Sequence, residues 1–305
     1  MKTISLKNSI LVSAISLAYL LLCAWLLGFK TDQLFLVGVF NVMFYASAFT
    51  RKFILGFLTF VIFWVIFDFM KAFPNYNFST VHILDLYQRE KSLFGINDAG
   101  TILTPNEYAL KYSKTILDVI AGFFYLNWIP VPMLFAAYLF IKNRMQFLQF
   151  CLSFLFINFI GFTVYYLYPA APPWYVQQYG FDANFHAGSS TAGLIRFDQY
   201  FGVNIFGSLY AKSSNVFAAM PSLHSAYPLI VLYYGLKNKL GLINIYFATV
   251  MLGIWFAAVY SSHHYIQDVL AGITCALSGL FIFQKVLLKT EWFNNFLAAY
   301  KKLIS

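Results

Sequence analysis

Charged residues are scarce in this sequence, and their scarcity indicates its class. Lys and Arg number 20 and Asp and Glu 11, so only 10% of the 305 residues are charged, while 61% are hydrophobic. That composition is too apolar for a soluble domain of this length. The formal charge of +9 does not indicate a nucleic-acid surface, because the basic residues stand singly or in pairs between apolar runs. We therefore expect an integral membrane protein with no nucleic-acid partner.

Cysteine is also rare. The chain has three, Cys23, Cys151 and Cys275, each inside an apolar run and none at a spacing typical of metal ligands. This pattern does not predict a disulfide framework, and we expect all three to be buried as small hydrophobic residues.

Long apolar runs dominate what is present. A membrane-crossing helix needs about 20 apolar residues, and eight runs approach that length. The sequence therefore predicts an all-α fold, a polytopic transmembrane helical bundle of about eight spans, within a range of six to eight. A cleaved signal peptide is disfavoured for the first run, which is long and lacks a clear cleavage site. The predicted spans are 9–28, 34–50, 53–73, 115–141, 147–168, 220–236, 240–260 and 264–288.

Prolines lie within one of these runs, and a long polar segment separates two others. Pro130 and Pro132 predict a kink or an unwound turn in the fourth span. Residues 74–114 are too polar to cross a membrane, and their helical rhythm predicts an amphipathic helix on its surface. We divide the chain into N-terminal spans with this outer-face segment (1–114), a catalytic core (115–290) and a cytoplasmic tail (291–305).

Basic residues predict the orientation. With a cytoplasmic N-terminus, each short cytoplasmic loop carries a basic pair, as the positive-inside rule requires. The long segments 74–114 and 169–219 then face outward. We expect a multi-pass protein of a bacterial inner membrane with its site facing the periplasm, or of the Golgi with a lumenal site in a eukaryote. The pairs are Arg51 with Lys52, Lys142 with Arg144, and Lys237 with Lys239.

Two polar clusters, "MPSLHSA" and "SSHHYIQD", stand at the outer ends of predicted spans. His264 and Asp268 are four residues apart, so on a helix they would share a face and the carboxylate could orient the imidazole. His224 lies just inside the preceding span. There Pro221 suits a first helical turn, and the N–H groups of Ser222 and Leu223 could face an anion. The pattern predicts a phosphate site with two histidines.

This set of groups suits phosphoryl transfer. A neutral imidazole could attack a phosphate ester and form a phosphohistidine, provided that a second group protonates the leaving oxygen. A metal site built from His224, His263, His264 and Asp268 is less favoured, because adjacent histidines on a helix diverge by roughly 100°. Haem ligation by two histidines is less favoured still. We therefore expect neither a metal nor a cofactor.

The two clusters also carry a family resemblance. "PSLHS" followed by "HHYIQD" resembles the second and third signature motifs of the type 2 phosphatidic acid phosphatase (PAP2) superfamily. The resemblance implies that His264 is the nucleophile, His224 the general acid and Asp268 the residue that orients His264. The usual first motif, a lysine followed at a distance by Arg-Pro, is absent. "YPAAPPWY", from Tyr168 to Tyr175, stands in its place.

Four linked motifs narrow the resemblance. "YPAAPPWY", "GLIRFDQYFGVNIF", "SSNVFAAMPSLHSA" and "YSSHHYIQDVLAG" together resemble the aureobasidin-target inositol phosphorylceramide synthases and their bacterial relatives, from about Asn158 to Gly272. This implies transfer of phosphoinositol from phosphatidylinositol to ceramide or dihydroceramide, with other membrane lipids as surroundings. A lipid phosphatase acting on phosphatidate or an isoprenyl diphosphate is the alternative. A transporter or haem protein would need charged pairs inside several spans, and Asp68 is nearly alone there.

The missing first motif leaves the phosphate clamp to other residues. Arg196 is the first candidate and Lys212 the second, with a solvated loop charge as the alternative for each. Ser222 and Ser225 could donate to the same oxygens, although helix capping explains Ser222 equally well. The proline-rich motif predicts a rigid extended turn with an interfacial aromatic that shapes a lipid entrance, formed by Pro172, Pro173, Trp174 and Tyr175.

Overall fold

The computed structural model describes residues 5–211 and 215–305, and helices make up nearly all of its regular structure. Short 3-10 turns lie at Asn75–Asn77, Leu126–Trp128, Ala192–Leu194 and Leu287–Lys289, and two strands, β1 (Ile96–Asp98) and β2 (Thr101–Leu103), form an antiparallel hairpin. The helices are α1 Leu6–Leu26, α2 Thr31–Ala46, α3 Ala48–Gly56, α4 Leu58–Phe69, α5 Leu84–Phe94, α6 Pro105–Lys111, α7 Thr115–Tyr125, α8 Pro130–Lys142, α9 Arg144–Leu167, α10 Pro173–Tyr179, α11 Ile195–Phe201, α12 Ile205–Tyr210, α13 Leu223–Lys237, α14 Ile243–Tyr260, α15 Ile266–Lys285 and α16 Glu291–Ile304.

The membrane-spanning character of the bundle is confirmed, but the predicted count of eight has only loose support. Within the described residues, five helical segments are long and apolar enough to cross a membrane, and a sixth is the pair α3 and α4, bent by 49°. The predicted spans 34–50 and 220–236 correspond to α2 and α13, which have 16 and 15 residues. The five segments are Leu6–Leu26, Thr115–Lys142, Arg144–Leu167, Ile243–Tyr260 and Ile266–Lys289.

Two of the predicted spans are broken in the structure, and proline predicted one of the two breaks. The fourth predicted span is interrupted by the 3-10 turn Leu126–Trp128, and α8 restarts with Pro130 in its first turn. This agrees with proline's preference for the start of a helix. The bend between α3 and α4, at Phe57, has no proline nearby and was not predicted.

The helices of the predicted core segment 115–290 pack against one another. Buried aromatic and aliphatic side chains of α8, α9, α13, α14 and α15 form one continuous cluster. Gly272 lets α15 approach the start of α13, because a Cβ atom there would overlap the Ser222 carbonyl. The backbone N–H of Ser222 in turn donates to the Asp268 carbonyl oxygen at 2.9 Å. The beginnings of α13 and α15 are thereby held together.

The segment 74–114 is more structured than the single amphipathic helix that we predicted. It contains α5, the hairpin β1–β2 and α6. Helix α5 is amphipathic as expected, but its buried face, which includes Leu86 and Glu90, packs on α15. Gln267 Nε2 donates to the Leu86 carbonyl oxygen at 2.7 Å. This segment therefore lies against the helix that follows the second polar cluster.

Short extended segments join the proline-rich motif to its neighbours. His82 pairs with Ala170 and Ala170 with Ala218 in parallel bridges. Ala170 N–H donates to the Phe217 carbonyl oxygen at 2.9 Å, and Ala219 N–H donates to that of Ala170 at 3.2 Å. The "YPAAPPWY" motif is thus fixed beside the chain that leads into "MPSLHSA".

The remaining predictions concern the cysteines and the tail. Cys23, Cys151 and Cys275 are all buried and unbonded to one another, as predicted. The tail 291–305 is mostly the amphipathic helix α16, which buries Phe293 and Leu297.

Candidate active site

The two histidines predicted to act together do meet. His224 lies in the first turn of α13, and His264 lies in the turn between α14 and α15. Nδ1 of His224 and Nε2 of His264 are 3.3 Å apart. Residues separated by 40 positions are therefore adjacent at one end of the bundle, where a phosphate could contact both rings.

Asp268 lies near His264, although not on a shared helical face. Helix α15 begins at Ile266, so His264 precedes it, and the predicted face-sharing is wrong in that detail. The distance from His264 Nδ1 to Asp268 Oδ2 is 3.7 Å, an electrostatic contact longer than a hydrogen bond. Oδ2 accepts the Tyr265 N–H at 2.8 Å. His264 Nδ1 and Asp268 Oδ1 have no other partner among the described residues, so the pair can tighten.

The surroundings of His264 favour its neutral form. Only 5% of this residue is exposed. Burial lowers the pKa of His264 to about 4, and the nearby Ala219 carbonyl acts in the opposite direction. The imidazole is therefore uncharged near neutral pH and keeps a lone pair for nucleophilic attack.

His263 points elsewhere. Its Nε2 donates to the Thr191 carbonyl oxygen at 2.9 Å. Its ring stacks with Tyr125 and Tyr210, at centroid distances of 5.4 and 4.5 Å. The two adjacent rings thus diverge, and within the described parts of the chain no group of three His, Cys, Asp or Glu side chains is arranged to hold a metal ion.

The serines of the first cluster cap their own helix. Ser222 is the N-cap of α13, and its Oγ accepts from the Ser225 N–H at 3.3 Å and from Ser225 Oγ at 3.0 Å. Pro221 precedes the cap instead of lying in the first turn. Because the Ser222 N–H already donates to the Asp268 carbonyl, our prediction that this group is free to face an anion was wrong. A phosphate contact by either hydroxyl remains a prediction.

Arg196 is held beside the turn that carries the second cluster. Its Nε donates to Asp118 Oδ1 at 2.6 Å, and that oxygen also accepts the Tyr260 hydroxyl at 2.9 Å. The guanidinium lies against Gly193, whose N–H donates to the Ser261 carbonyl at 2.8 Å. Arg196 Nη2 is buried and has no hydrogen-bond partner among the described residues. Asp118 therefore fixes one edge of the guanidinium, while Nη2 on the other edge makes no hydrogen bond with the described residues.

Lys212 lies outside the described residues. Asp118, which orients Arg196, was not predicted, although a carboxylate three residues inside an apolar run was a signal that could have found it.

The proline-rich motif differs from the prediction. Pro172 is the N-cap of α10, so the chain turns helical instead of staying extended. Trp174 is only 5% exposed and is buried within the protein instead of lying at the interface; its backbone N–H donates to the Ser262 carbonyl oxygen at 3.0 Å. The Tyr175 hydroxyl donates to the Asp182 carbonyl at 2.7 Å. The motif braces the turn before His263, and its role at a lipid entrance stays a prediction.

Comparison with known proteins identifies the family to which the chain belongs. The sequence profile of the PAP2 superfamily matches residues 106–282. The chain belongs to the PAP2 superfamily.

Individual relatives extend the match beyond the PAP2 region. The phosphoinositol dihydroceramide synthase of Bacteroides thetaiotaomicron is 44% identical over 302 residues, which cover 98% of this chain and 99% of the relative. The inositol phosphorylceramide synthase of Candida albicans is 27% identical over 198 residues, 62% of this chain and 39% of the relative. The catalytic subunit of the Saccharomyces cerevisiae enzyme is 34% identical over 118 residues, 38% and 29% of the two chains. No solved structure matches the chain.

Two residues near the edge of the PAP2 region were missed by the sequence reasoning. Asn106, its first residue, donates from Nδ2 to the His264 carbonyl oxygen at 2.9 Å. Glu90, outside the region, accepts the N–H groups of Ile266 and Gln267 at 2.9 and 3.2 Å. A polar residue in a polar segment carries no sequence signal for such a contact, which only the packing reveals.

Proposed function

We propose that this PAP2 enzyme transfers phosphoinositol from phosphatidylinositol to ceramide or dihydroceramide and releases diacylglycerol. The single observation that carries the proposal is the 44% identity, over nearly the whole length of both chains, to a protein named as a phosphoinositol dihydroceramide synthase. The contact between His224 and His264 supplies the chemistry that such a transfer needs.

The first half-reaction is assigned to the histidine pair. Neutral His264 attacks the phosphorus through Nε2, so that an N–P bond forms while the bond from phosphorus to the glycerol oxygen breaks. His224 protonates that oxygen as diacylglycerol leaves. The negative phosphate favours the protonated form of His224 when substrate is bound. Asp268 faces Nδ1 of His264 and stabilises the charge that develops on the ring.

The second half-reaction reverses the roles. His224, now neutral, takes the proton of the ceramide hydroxyl, whose oxygen attacks phosphorus while the N–P bond breaks. The free guanidinium edge of Arg196 supports its assignment as the phosphate clamp. Lys212, Ser222 and Ser225 are secondary candidates. The phosphohistidine must be kept from water, a task that we assign to the loop of Pro172, Trp174 and Tyr175 and its neighbours.

The protein is a multi-pass membrane protein, and we propose that its site faces away from the cytoplasm. The basic pairs of the three short loops support this orientation. A bacterial inner membrane with a periplasmic site fits the full-length match to a bacterial relative.

The deciding experiment supplies purified protein with labelled phosphatidylinositol, with and without dihydroceramide. We expect diacylglycerol release to rise strongly when the acceptor is present, and the lipid product to keep both inositol and phosphate. Release of inositol phosphate or free phosphate at the same rate without an acceptor would instead identify a PAP2-type lipid phosphatase.

A further inference from the structure

A buried carboxylate from outside the PAP2 region holds the start of the catalytic helix α15. Glu90 of α5 is 0% exposed. One of its oxygens accepts the Ile266 N–H at 2.9 Å, and the other accepts the Gln267 N–H at 3.2 Å. Glu90 lies 176 residues before Ile266 in the sequence.

Helix α15 needs such a partner. The first N–H groups of a helix have no acceptor within it and are usually bonded by a capping side chain. The N-cap residue of α15, Tyr265, makes no side-chain hydrogen bond to the helix. The Asp268 side chain accepts the Tyr265 N–H through Oδ2 and leaves the N–H groups of Ile266 and Gln267 to another acceptor. Glu90 therefore supplies from a distant helix the cap that α15 does not supply for itself.

This cap lies directly beside the reacting groups. Ile266 follows His264 by two residues and precedes Asp268 by two, so the turn that Glu90 bonds is the turn that sets the distance between them. A second hydrogen bond joins α5 to the same turn, because the Gln267 side chain donates to the Leu86 carbonyl oxygen. Without Glu90, the buried N–H group of Gln267 and the partly buried N–H group of Ile266 would lose their acceptors, and the turn would shift to find others.

We propose that Glu90 is a positioning residue of the phosphotransfer site, which keeps Asp268 facing His264 by capping α15. Its hydrogen bonds go to the backbone N–H groups of Ile266 and Gln267, not to the rings of His224 and His264. The proposal rests on the proposed roles of His264 and Asp268. It means that the segment before residue 106 is part of the catalytic apparatus, although the PAP2 profile begins only there.

The electrostatic setting of Glu90 is consistent with this role. Burial raises the pKa of Glu90 to about 7; the donors of Ile266 and Gln267 act in the opposite direction, and Asp268 raises it further. Burial disfavours the charge of this carboxyl group, and the two helix N–H groups that it accepts offset part of that cost.

The test compares Glu90→Gln and Glu90→Ala with a matched control, Asp198→Asn. Asp198 is likewise buried and accepts two N–H groups at the start of a helix, those of Phe206 and Gly207 in α12, at 3.2 and 3.0 Å. We expect kcat to fall on the order of 100-fold in Glu90→Ala, the effect of a small misplacement of reacting groups. The KM for phosphatidylinositol should stay nearly unchanged. Glu90→Gln keeps one acceptor and the same shape, so its kcat should lie between those of wild type and Glu90→Ala.

Each variant is also measured for monodispersity and thermal midpoint in detergent. A loss of kcat in Glu90→Gln at an unchanged thermal midpoint supports positioning. Wild-type kcat in folded Glu90→Gln and Glu90→Ala overturns the proposal, as does an equal loss of kcat in Asp198→Asn. If the wild type releases phosphate without an acceptor, the proposed transferase function fails, and the same comparison is made on that hydrolysis. If His264→Ala keeps its activity, the failure lies in the assigned nucleophile.

Discussion

Replacing Asp268 by asparagine tests the centre of the proposed mechanism. The carboxylate is fully buried. Its Oδ2 accepts the Tyr265 N–H at 2.8 Å and lies 3.7 Å from His264 Nδ1. Asparagine has nearly the same shape and can keep the contact with Tyr265 through its amide oxygen. The substitution therefore removes the charge that faces His264 while preserving the cap.

The expected loss follows from what that charge does. A carboxylate that orients a catalytic histidine and stabilises its imidazolium is worth on the order of 10⁴ in kcat, which corresponds to about 5.5 kcal/mol of transition-state free energy. In Asp268→Asn the amide oxygen that accepts the Tyr265 N–H still faces His264, but it lacks the charge of the carboxylate. We therefore expect kcat to fall between about 10²- and 10⁴-fold, the upper value applying if the contact shortens when substrate binds.

The assay is transfer of labelled phosphoinositol to dihydroceramide, followed as product per folded enzyme. Asp198→Asn is the control, because it removes a buried carboxylate that caps α12 and whose hydrogen bonds go to Phe206 and Gly207, not to the turn of His264 and Asp268. It should reduce stability with little effect on kcat. A kcat for Asp268→Asn that equals that of Asp198→Asn would refute the assignment of Asp268 as the residue that orients His264.

Three further predictions address the clamp, the orientation and the charge of the nucleophile. Arg196→Ala should lower transfer strongly, and Asp118→Asn should lower it less; in the double variant the losses should not add, since Asp118 acts by orienting Arg196, and additive losses would contradict this coupling. A single cysteine near Asn184 in a cysteine-free background should react with a membrane-impermeant thiol reagent in intact cells or spheroplasts, and one near Asn238 should not; the reverse pattern would contradict the orientation. Because burial lowers the pKa of His264 to about 4, the unfolded chain binds a proton below about pH 6.5 that the folded protein does not. The thermal midpoint in detergent should therefore fall from pH 6.5 towards pH 4, and it should fall less in His264→Gln; equal slopes would contradict a neutral buried ring.

Local patterns predicted the features that local physics controls. Apolar runs predicted the membrane helices because a bilayer admits few other structures. Pro130 predicted the break between α7 and α8 because proline removes a helix hydrogen bond. The two polar clusters predicted the meeting of His224 and His264, because predicted spans of fixed length place both at one membrane face.

Where local patterns failed, a distant partner competed with the local one. The Ser222 N–H was expected to face an anion, but the Asp268 carbonyl takes it first. Trp174 was expected at the interface, but the packing with Ile83 and Phe217 buries it.

By itself, then, the sequence determined the membrane class and the family, and it predicted that His224, His264 and Asp268 lie close together, because each depends on composition or on motifs along the chain. Only the tertiary structure decided how these residues are held. Asp118 reaches Arg196 across 78 positions, Asn106 reaches the His264 carbonyl across 158, and Glu90 reaches Ile266 across 176. Such contacts form because a buried polar group must find a partner wherever the folded chain supplies one, and spacing along the chain does not indicate which partner that is.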